Sequence, residues 1–366
     1  MYIVSTHKVR VLTKERGESM ALDRRKLVIL KAIIDDYIAT ATPIGSRTVS
    51  KKIDMDLSSA TIRNEMFDLE EMGYLDQPHT SAGRIPSQKA FRYYVDEIIK
   101  RTELSIQDIN QLNSYFNQQL NEVEEVINTT AKALSDTTNY TSLVLKPQLN
   151  KISIERIQLV YIGHERALLV IVTDAGLVKD TIIEIPENVD ANLLFSISQM
   201  LSEKLNGCTI SDLKRRFDMI IDGEMKTHRK FFSDLFDAIE EELASNSSKD
   251  VIYSGAKNIL NYPEYNDIEK AKNFFKVLEK KDTLYKMLEN AVNLEFTVKI
   301  GSENEEEDLK DCSIVTATYK IGEKTMGSFG VIGPVRMNYN KVISVIDYMG
   351  QSLSEIMTQI NNNNLK

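Results

Sequence analysis

Arg63 and Asn64 stand side by side in SSATIRNEMFDLEEMGYLDQPHTSAGRIP, residues 58–86. They are the two side-chain types that can each make paired hydrogen bonds to one base edge, Arg to guanine and Asn to adenine. Each such pair discriminates against the wrong base by about 1–3 kcal/mol. Ser59 and Thr61, just upstream, are short enough to reach a phosphate or a base. Downstream, His79, Thr80, Ser81 and Arg84 lie in a polar loop, where an arginine can follow a phosphate or enter a narrow minor groove. Ser46, Arg47, Lys51 and Lys52 precede the stretch and offer phosphate partners. The chemistry these residues suit is the reading of double-stranded DNA.

Such residues need elements to aim them. Ser58 or Ser59 can cap a helix in which Ile62, Met66 and Leu69 share an inward face, which leaves Ser59, Arg63 and Asn64 outside. Tyr74 and Leu75 start an extended segment, and Ile85 with Pro86 suits a returning edge strand. Upstream, residues 23–40 carry Leu27, Leu30, Ile33, Ile34, Tyr37 and Ile38 on one stripe, which predicts a first amphipathic helix. Pro43 and Gly45 end the link. Ser46 is expected to cap a short second helix reaching about Ile53. Three helices followed by a hairpin predict a winged helix-turn-helix over residues 22–103, whose last helix enters the major groove.

The charge distribution agrees with this division. The chain has 366 residues and a net charge of −9, a length that suggests two or three domains. Residues 1–101 hold 17 Lys and Arg against 14 Asp and Glu, or +3, which leaves 28 against 40, or −12, for the remainder. Only the N-terminal part suits a polyanion, and placement must count for more than total charge. Residues 1–21 are expected as a flexible, mildly basic extension or as an over-long start, since Met20 would be a sensible first residue. No apolar run is long enough to span a bilayer, and no signal-peptide core is present, so a cytoplasmic protein is expected.

Beyond the hairpin, Ser87 can cap a helix with Phe91, Tyr94, Val95 and Ile98 on its buried face. Residues 106–134 read as one long helix with a single apolar stripe. IQLVYI, ALLVIVT and LVKDTIIEI, within 157–185, predict an antiparallel meander. Similar strands return as EFTVKI, CSIVTATY and GSFGVI, and residues 186–293 between them read as mostly helical. An open meander completed by distant strands predicts one α/β domain, 104–185 with 294–360, carrying a helical insert over 186–293. The final helix, 339–360, has a heptad-like seam and is expected to pack on the sheet.

No catalytic constellation is present, so an enzyme is not expected. His7, His79, His164 and His228 are isolated, and Cys208 and Cys312 have neither zinc nor disulfide spacing. The acidic run 303–308 lacks the turn glycine of a calcium loop and reads as solvated. No metal or cofactor is expected. Gly327, Gly330 and Gly333 have the wrong spacing for a dinucleotide fingerprint and suit close backbone packing.

PIGSRTVSKK, SSATIRNEMFDLEEMGYL and HTSAGRIPSQKAFRYYVD closely resemble the N-terminal domain of the HrcA heat-inducible transcription repressors. YSGAKNILNYPEYNDIEK and CSIVTATYKIGEKTMGSFGVIGPVRMNYNKVISVIDYM resemble later stretches of the same family, so the resemblance runs from about Leu22 to Met357. It implies an α+β multidomain homodimer with a winged helix-turn-helix, a GAF-like α/β domain with an antiparallel sheet, and an inserted dimerisation domain. It also implies repression of heat-shock chaperone operons through the CIRCE inverted repeat, with the active form maintained by the chaperonin GroE. By carry-over, Ser59, Thr61, Arg63 and Asn64 would read the operator and Arg84 would hold its flank. The alternative is a regulator sharing this DNA site but gated by a small molecule in the GAF-like domain.

Overall fold

The computed structural model of the chain describes residues 22–78, 83–99, 104–116, 123–147, 152–174, 178–224, 229–244, 250–292, 294–322 and 324–363. The expected N-terminal extension, and the loop residues His79, Thr80 and Ser81, lie outside them.

The N-terminal unit begins with α1 (Arg24–Thr40), capped by Asp23, whose carboxylate accepts from Lys26 N at 2.8 Å. Helix α2 (Ser46–Ser50) is shorter than expected, and Gly45, not Ser46, is its N-cap. Ser46 is the first helical residue and is buried, so its hydroxyl is unavailable as a cap. Helix α3 (Ser59–Glu71) is capped by Ser58, which accepts from Thr61 N at 3.1 Å. Ile62, Met66 and Leu69 are its buried residues, as their spacing predicts. Strands β1 (Leu75–Asp76) and β2 (Ile85–Pro86) then pair antiparallel. The link before α2 joins them, because Ile44 and Arg84 exchange backbone bonds at 2.8 and 2.9 Å. Gly83 permits that approach, since a Cβ there would lie 2.4 Å from Ile44 O. Helix α4 (Gln88–Tyr93), capped by Ser87, continues into a π-helical turn over Tyr94–Ile98.

The predicted long helix is instead two, α5 (Ile106–Phe116) and α6 (Val123–Thr138). Tyr115 Oη donates to Asp136 at 2.5 Å, so they fold against each other. Their shared stripe made them look continuous.

The expected split sheet is corrected. Strands β4 (Ile154–Gly163), β5 (Arg166–Thr173) and β6 (Val178–Glu184) form a separate three-stranded antiparallel sheet. Its buried face has its own core with α7 (Ala191–Leu205), α8 (Ile210–Glu224) and α9 (Arg229–Ala244). Helix α7 also covers the edge strand β4: Ser198 Oγ and Ser202 Oγ accept from Leu159 N and Ile157 N at 2.7 and 3.0 Å.

The other sheet is five-stranded, in the order β7-β3-β10-β9-β8, with every neighbour antiparallel. Its strands are β3 (Thr141–Leu145), β7 (Val251–Ser254), β8 (Phe296–Ile300), β9 (Cys312–Ile321) and β10 (Lys324–Pro334). Thus the chain leaves the body after β3, builds the three-stranded unit, and returns at β7. Helices α10 (Ile268–Glu279) and α11 (Lys281–Ala291), expected in the insert, pack on one face of this larger sheet. On the other side α12 (Tyr339–Asn363) buries Val342, Ile346, Met349 and Leu353 of its seam in the core shared with α6 and the N-terminal unit. Gly330 allows β10 to lie against β9, since a Cβ would come 2.2 Å from Val315 O.

The acidic run is less solvated than its composition suggests. Glu303 binds Arg92, Asp308 pairs with Lys280 at 3.2 Å, and Asn304 is buried.

Candidate nucleic-acid interface

Helix α3 turns two different faces to its surroundings. Ile62, Met66 and Leu69 face the core, while Ala60, Arg63, Asn64, Phe67 and Glu71 are exposed. These exposed positions recur at helical spacing and define one continuous strip.

Charge is distributed unevenly between the faces. Glu65 accepts from Arg25 at 3.1 Å and from Lys26 at 2.7 Å, and Asp68 lies 2.9 Å from the same Lys26 Nζ. Hydrogen bonds from Lys26 to Glu65 and then to Asp68 hold its ammonium above the usual lysine range. Glu70 accepts from Arg84 Nε at 2.8 Å, with a second guanidinium nitrogen at 2.7 Å. Three carboxylates that would repel a phosphate backbone are therefore drawn to α1 and the hairpin. The Arg63 side chain makes no hydrogen bond or ion pair with any described residue, and the guanidinium stands free on the strip.

The remaining candidates among the described residues divide into three groups. Arg47 and Lys51 are exposed on and just after α2, whereas Lys52 is tied to the buried carboxylate of Asp36. Ser59 and Thr61 are engaged at the start of α3, Ser59 Oγ 3.4 Å from Ser50 Oγ and Thr61 Oγ1 2.9 Å from Ser58 Oγ. Ser46 is buried, and Arg84 is committed to Glu70, so their side chains hold the unit together. His79 and Thr80 lie outside the described residues.

Phe67 was not among the residues singled out from sequence. It is 52% exposed on the strip beside Arg63 and Asn64. The signal was present, since Phe67 falls off the Ile62, Met66 and Leu69 spacing.

The unit is also fastened to the five-stranded body. Arg92 Nε and Nη2 bind Glu303 at 2.9 and 2.5 Å, and Nη2 also donates to Val298 O at 2.7 Å. Arg336, 8% exposed, pairs with Glu264 and donates to Ile38 O at the end of α1 at 2.7 Å. Between these struts, Phe91 packs against Tyr37 of α1 and Tyr339 of α12, with ring centroids 6.5 and 6.0 Å apart.

The molecule is a mixed α/β protein with antiparallel sheets and an N-terminal helix-and-hairpin unit. A sequence model of the HrcA protein C terminal domain matches residues 124–343. The heat-inducible transcription repressor HrcA of Ruminiclostridium cellulolyticum is 42% identical over 94% of this chain and 100% of its own length. That of Pelotomaculum thermopropionicum is 41% identical over 93% of this chain and 98% of its own. A crystal structure described as that of a hypothetical protein shares 26% identity and the fold, with a TM-score of 0.62 over 93% of this chain and 100% of that one. The chain belongs to the HrcA family of heat-inducible transcription repressors.

Proposed function

We propose that this chain is a DNA-binding transcriptional repressor of heat-shock chaperone operons, of the groE and dnaK type, and that it acts without catalysis. The N-terminal unit is a winged helix-turn-helix, and the exposed strip of α3 enters the major groove. The observation that carries this reading is the removal of Glu65, Asp68 and Glu70 from the strip by α1 and Arg84, which leaves Arg63 unpaired beside Asn64. Arg63 and Asn64 read guanine and adenine, Phe67 offers apolar surface to a thymine methyl, and Arg47 and Lys51 take phosphates. Glu71 closes the strip with a negative charge, so contact belongs to the first part of the helix. Arg84 supports the flank by holding the wing that carries His79 and Thr80.

A single unit of near-neutral charge makes few phosphate contacts, so two units on the CIRCE inverted repeat supply the affinity. The homodimer contact is assigned to the outer face of the three-stranded sheet, making that insert the dimerisation domain and the five-stranded body the GAF-like domain. Val160, Leu168 and Ile182 lie in one cross-strand row there, away from the buried row of Leu159 and Leu169. Val160 and Ile182 are 41% and 56% exposed, apolar area without a described partner. GroE maintains the active form in the cytoplasm, and heat stress releases the operator when unfolded proteins occupy the chaperonin.

Fluorescence anisotropy on a CIRCE duplex and a scrambled duplex, at two salt concentrations and with or without GroE, tests the DNA reading. Strong preference for the repeat is expected, weakened about 5- to 150-fold per half-site by Arg63→Ala. Equal weak binding to both duplexes would remove the operator assignment. For the dimer, light scattering of the doubly substituted Val160→Asp, Ile182→Asp chain should give half the native mass with unchanged circular dichroism. Retention of the native mass would move the contact elsewhere.

A further inference from the structure

On the face of the five-stranded sheet that carries α10 and α11, a cavity of about 390 Å³ opens between α11, strands β8 and β9, and the acidic run. It is distinct from the α3 strip. Helix α11 packs over β3, β9 and β10, which leaves room above β8 at the sheet edge. Met287 of α11, Leu309 and Ile314 make the interior apolar. On the floor Thr297 Oγ1 and Thr316 Oγ1 bond each other at 2.5 Å across the β8–β9 pair, so those hydroxyls are already partnered.

The charged groups of the cavity are two of each sign, and only half of them are spent. Lys299 Nζ lies 3.6 Å from Glu305 Oε1, and these two offset each other. The Lys286 ammonium and the Glu306 carboxylate also line the cavity, and neither makes a hydrogen bond or ion pair with any described residue. One free cation and one free anion beside an apolar interior are complementary to a ligand that carries both charges. A ligand of single charge gains from one group and is repelled by the other.

The wall that carries Glu306 is fixed in place. Asn304 Nδ2 donates to Gly301 O at 3.0 Å, Leu309 O at 3.0 Å and Cys312 O at 2.9 Å, and Leu309 N donates to Glu306 O at 3.0 Å. The opposite group is adjustable, because a lysine ammonium rides on a flexible four-carbon stem. Glu303, at the start of the same run, binds Arg92, so the cavity adjoins the strut to the N-terminal unit.

We infer that this cavity binds a free aromatic α-amino acid as its zwitterion. The carboxylate pairs with Lys286, the ammonium pairs with Glu306, and the ring rests between Met287, Leu309 and Ile314. An α-amino acid holds both charges on one carbon and directs its apolar side chain away from them, and the Met287 thioether favours a ring over an aliphatic chain. This site stands independently of the DNA reading.

The test titrates the full chain calorimetrically with L-phenylalanine. The controls are 3-phenylpropionate, which lacks the ammonium, and phenethylamine, which lacks the carboxylate. Saturable binding of phenylalanine is expected, about tenfold or more tighter than either control, since each control gives up a charged hydrogen bond. Lys286→Gln should weaken phenylalanine binding about threefold or more while leaving phenethylamine unchanged. Met287→Trp, which fills the cavity, should abolish it. Both variants are checked for native circular dichroism, and Lys286, an exposed residue, decides the case alone if Met287→Trp does not fold. Equal binding of phenylalanine and either control, or phenylalanine binding unchanged in Lys286→Gln, would overturn the assignment. So would no saturable binding up to about 10 mM, a concentration at which small fragments register.

Discussion

The N-terminal unit and the three-stranded insert are both appended to the same five-stranded body, and they are attached in opposite ways. The first shares its interior with the body. Phe91 lies between Tyr37 and Tyr339, one apolar core runs from Leu22 to Ile360, and Arg92 and Arg336 reach across on either side. The second keeps a core of its own, from Ile154 to Ile239, and among the described residues Asp174 at its edge pairs with Lys324 of the body. An element that must present side chains at defined angles to a rigid double helix gains from being sealed to its support. The insert, for which a dimerising role is proposed above, does not need that seal.

The seal between the N-terminal unit and the body depends most on Phe91. Phe91→Ala opens a void between the N-terminal unit and the body and should cost about 3–5 kcal/mol in urea unfolding followed by circular dichroism. Loss of DNA binding should follow the same curve. A cost under about 1 kcal/mol would mean that the two do not share a core.

Two free thiols, one in each core, report on the two attachments separately. Cys208 lies in the insert core and Cys312 in the body, both free and buried. Burial raises the Cys208 thiol and pushes that of Cys312 up to about 12. Folded-state values above the unfolded one mean that the protonated thiol is the form compatible with the fold. That contribution is fully present below the unfolded pKa and is lost as pH rises toward the folded one. At pH 8 the native thiols should therefore react slowly, and each should label quickly once its own region opens. On stepwise warming, peptide mass spectrometry should find two labelling temperatures, with that of Cys312 matching the loss of DNA binding. Simultaneous labelling would indicate a single cooperative block.

The smallest effect is expected at Lys324→Ala. Its pair with Asp174 is 43% exposed on the lysine side, and such pairs are worth under about 1 kcal/mol. A midpoint shift larger than that would tie the insert to the body more firmly than the separate cores suggest.

Much of the α3 strip was legible in the sequence because helix periodicity is local. Ser58, Ile62, Met66 and Leu69 establish where α3 begins and which way it faces, and Arg63 and Asn64 fall outside by elimination. Sheet membership is not local. Alternation in IQLVYI and ALLVIVT announces strands, but the same pattern serves a three-stranded sheet covered on one side or the margin of a larger one. Long-range pairing was equally hidden: nothing near Glu70 says that Arg84 will hold it, or near Asp36 that Lys52 will. Asn304 was concealed by composition, a neutral amide within a run of acids that reads as solvent-facing.

The seal at Phe91 has a consequence for how abruptly the molecule can respond to warming. The enthalpy of a melting transition grows with the number of residues that melt together, at about 0.7 kcal/mol per residue. A block twice as large passes from mostly ordered to mostly disordered over about half as many degrees. By fusing α3 to the body, the chain gives its exposed strip the steepness of the larger block, which a tethered domain of that size would lack.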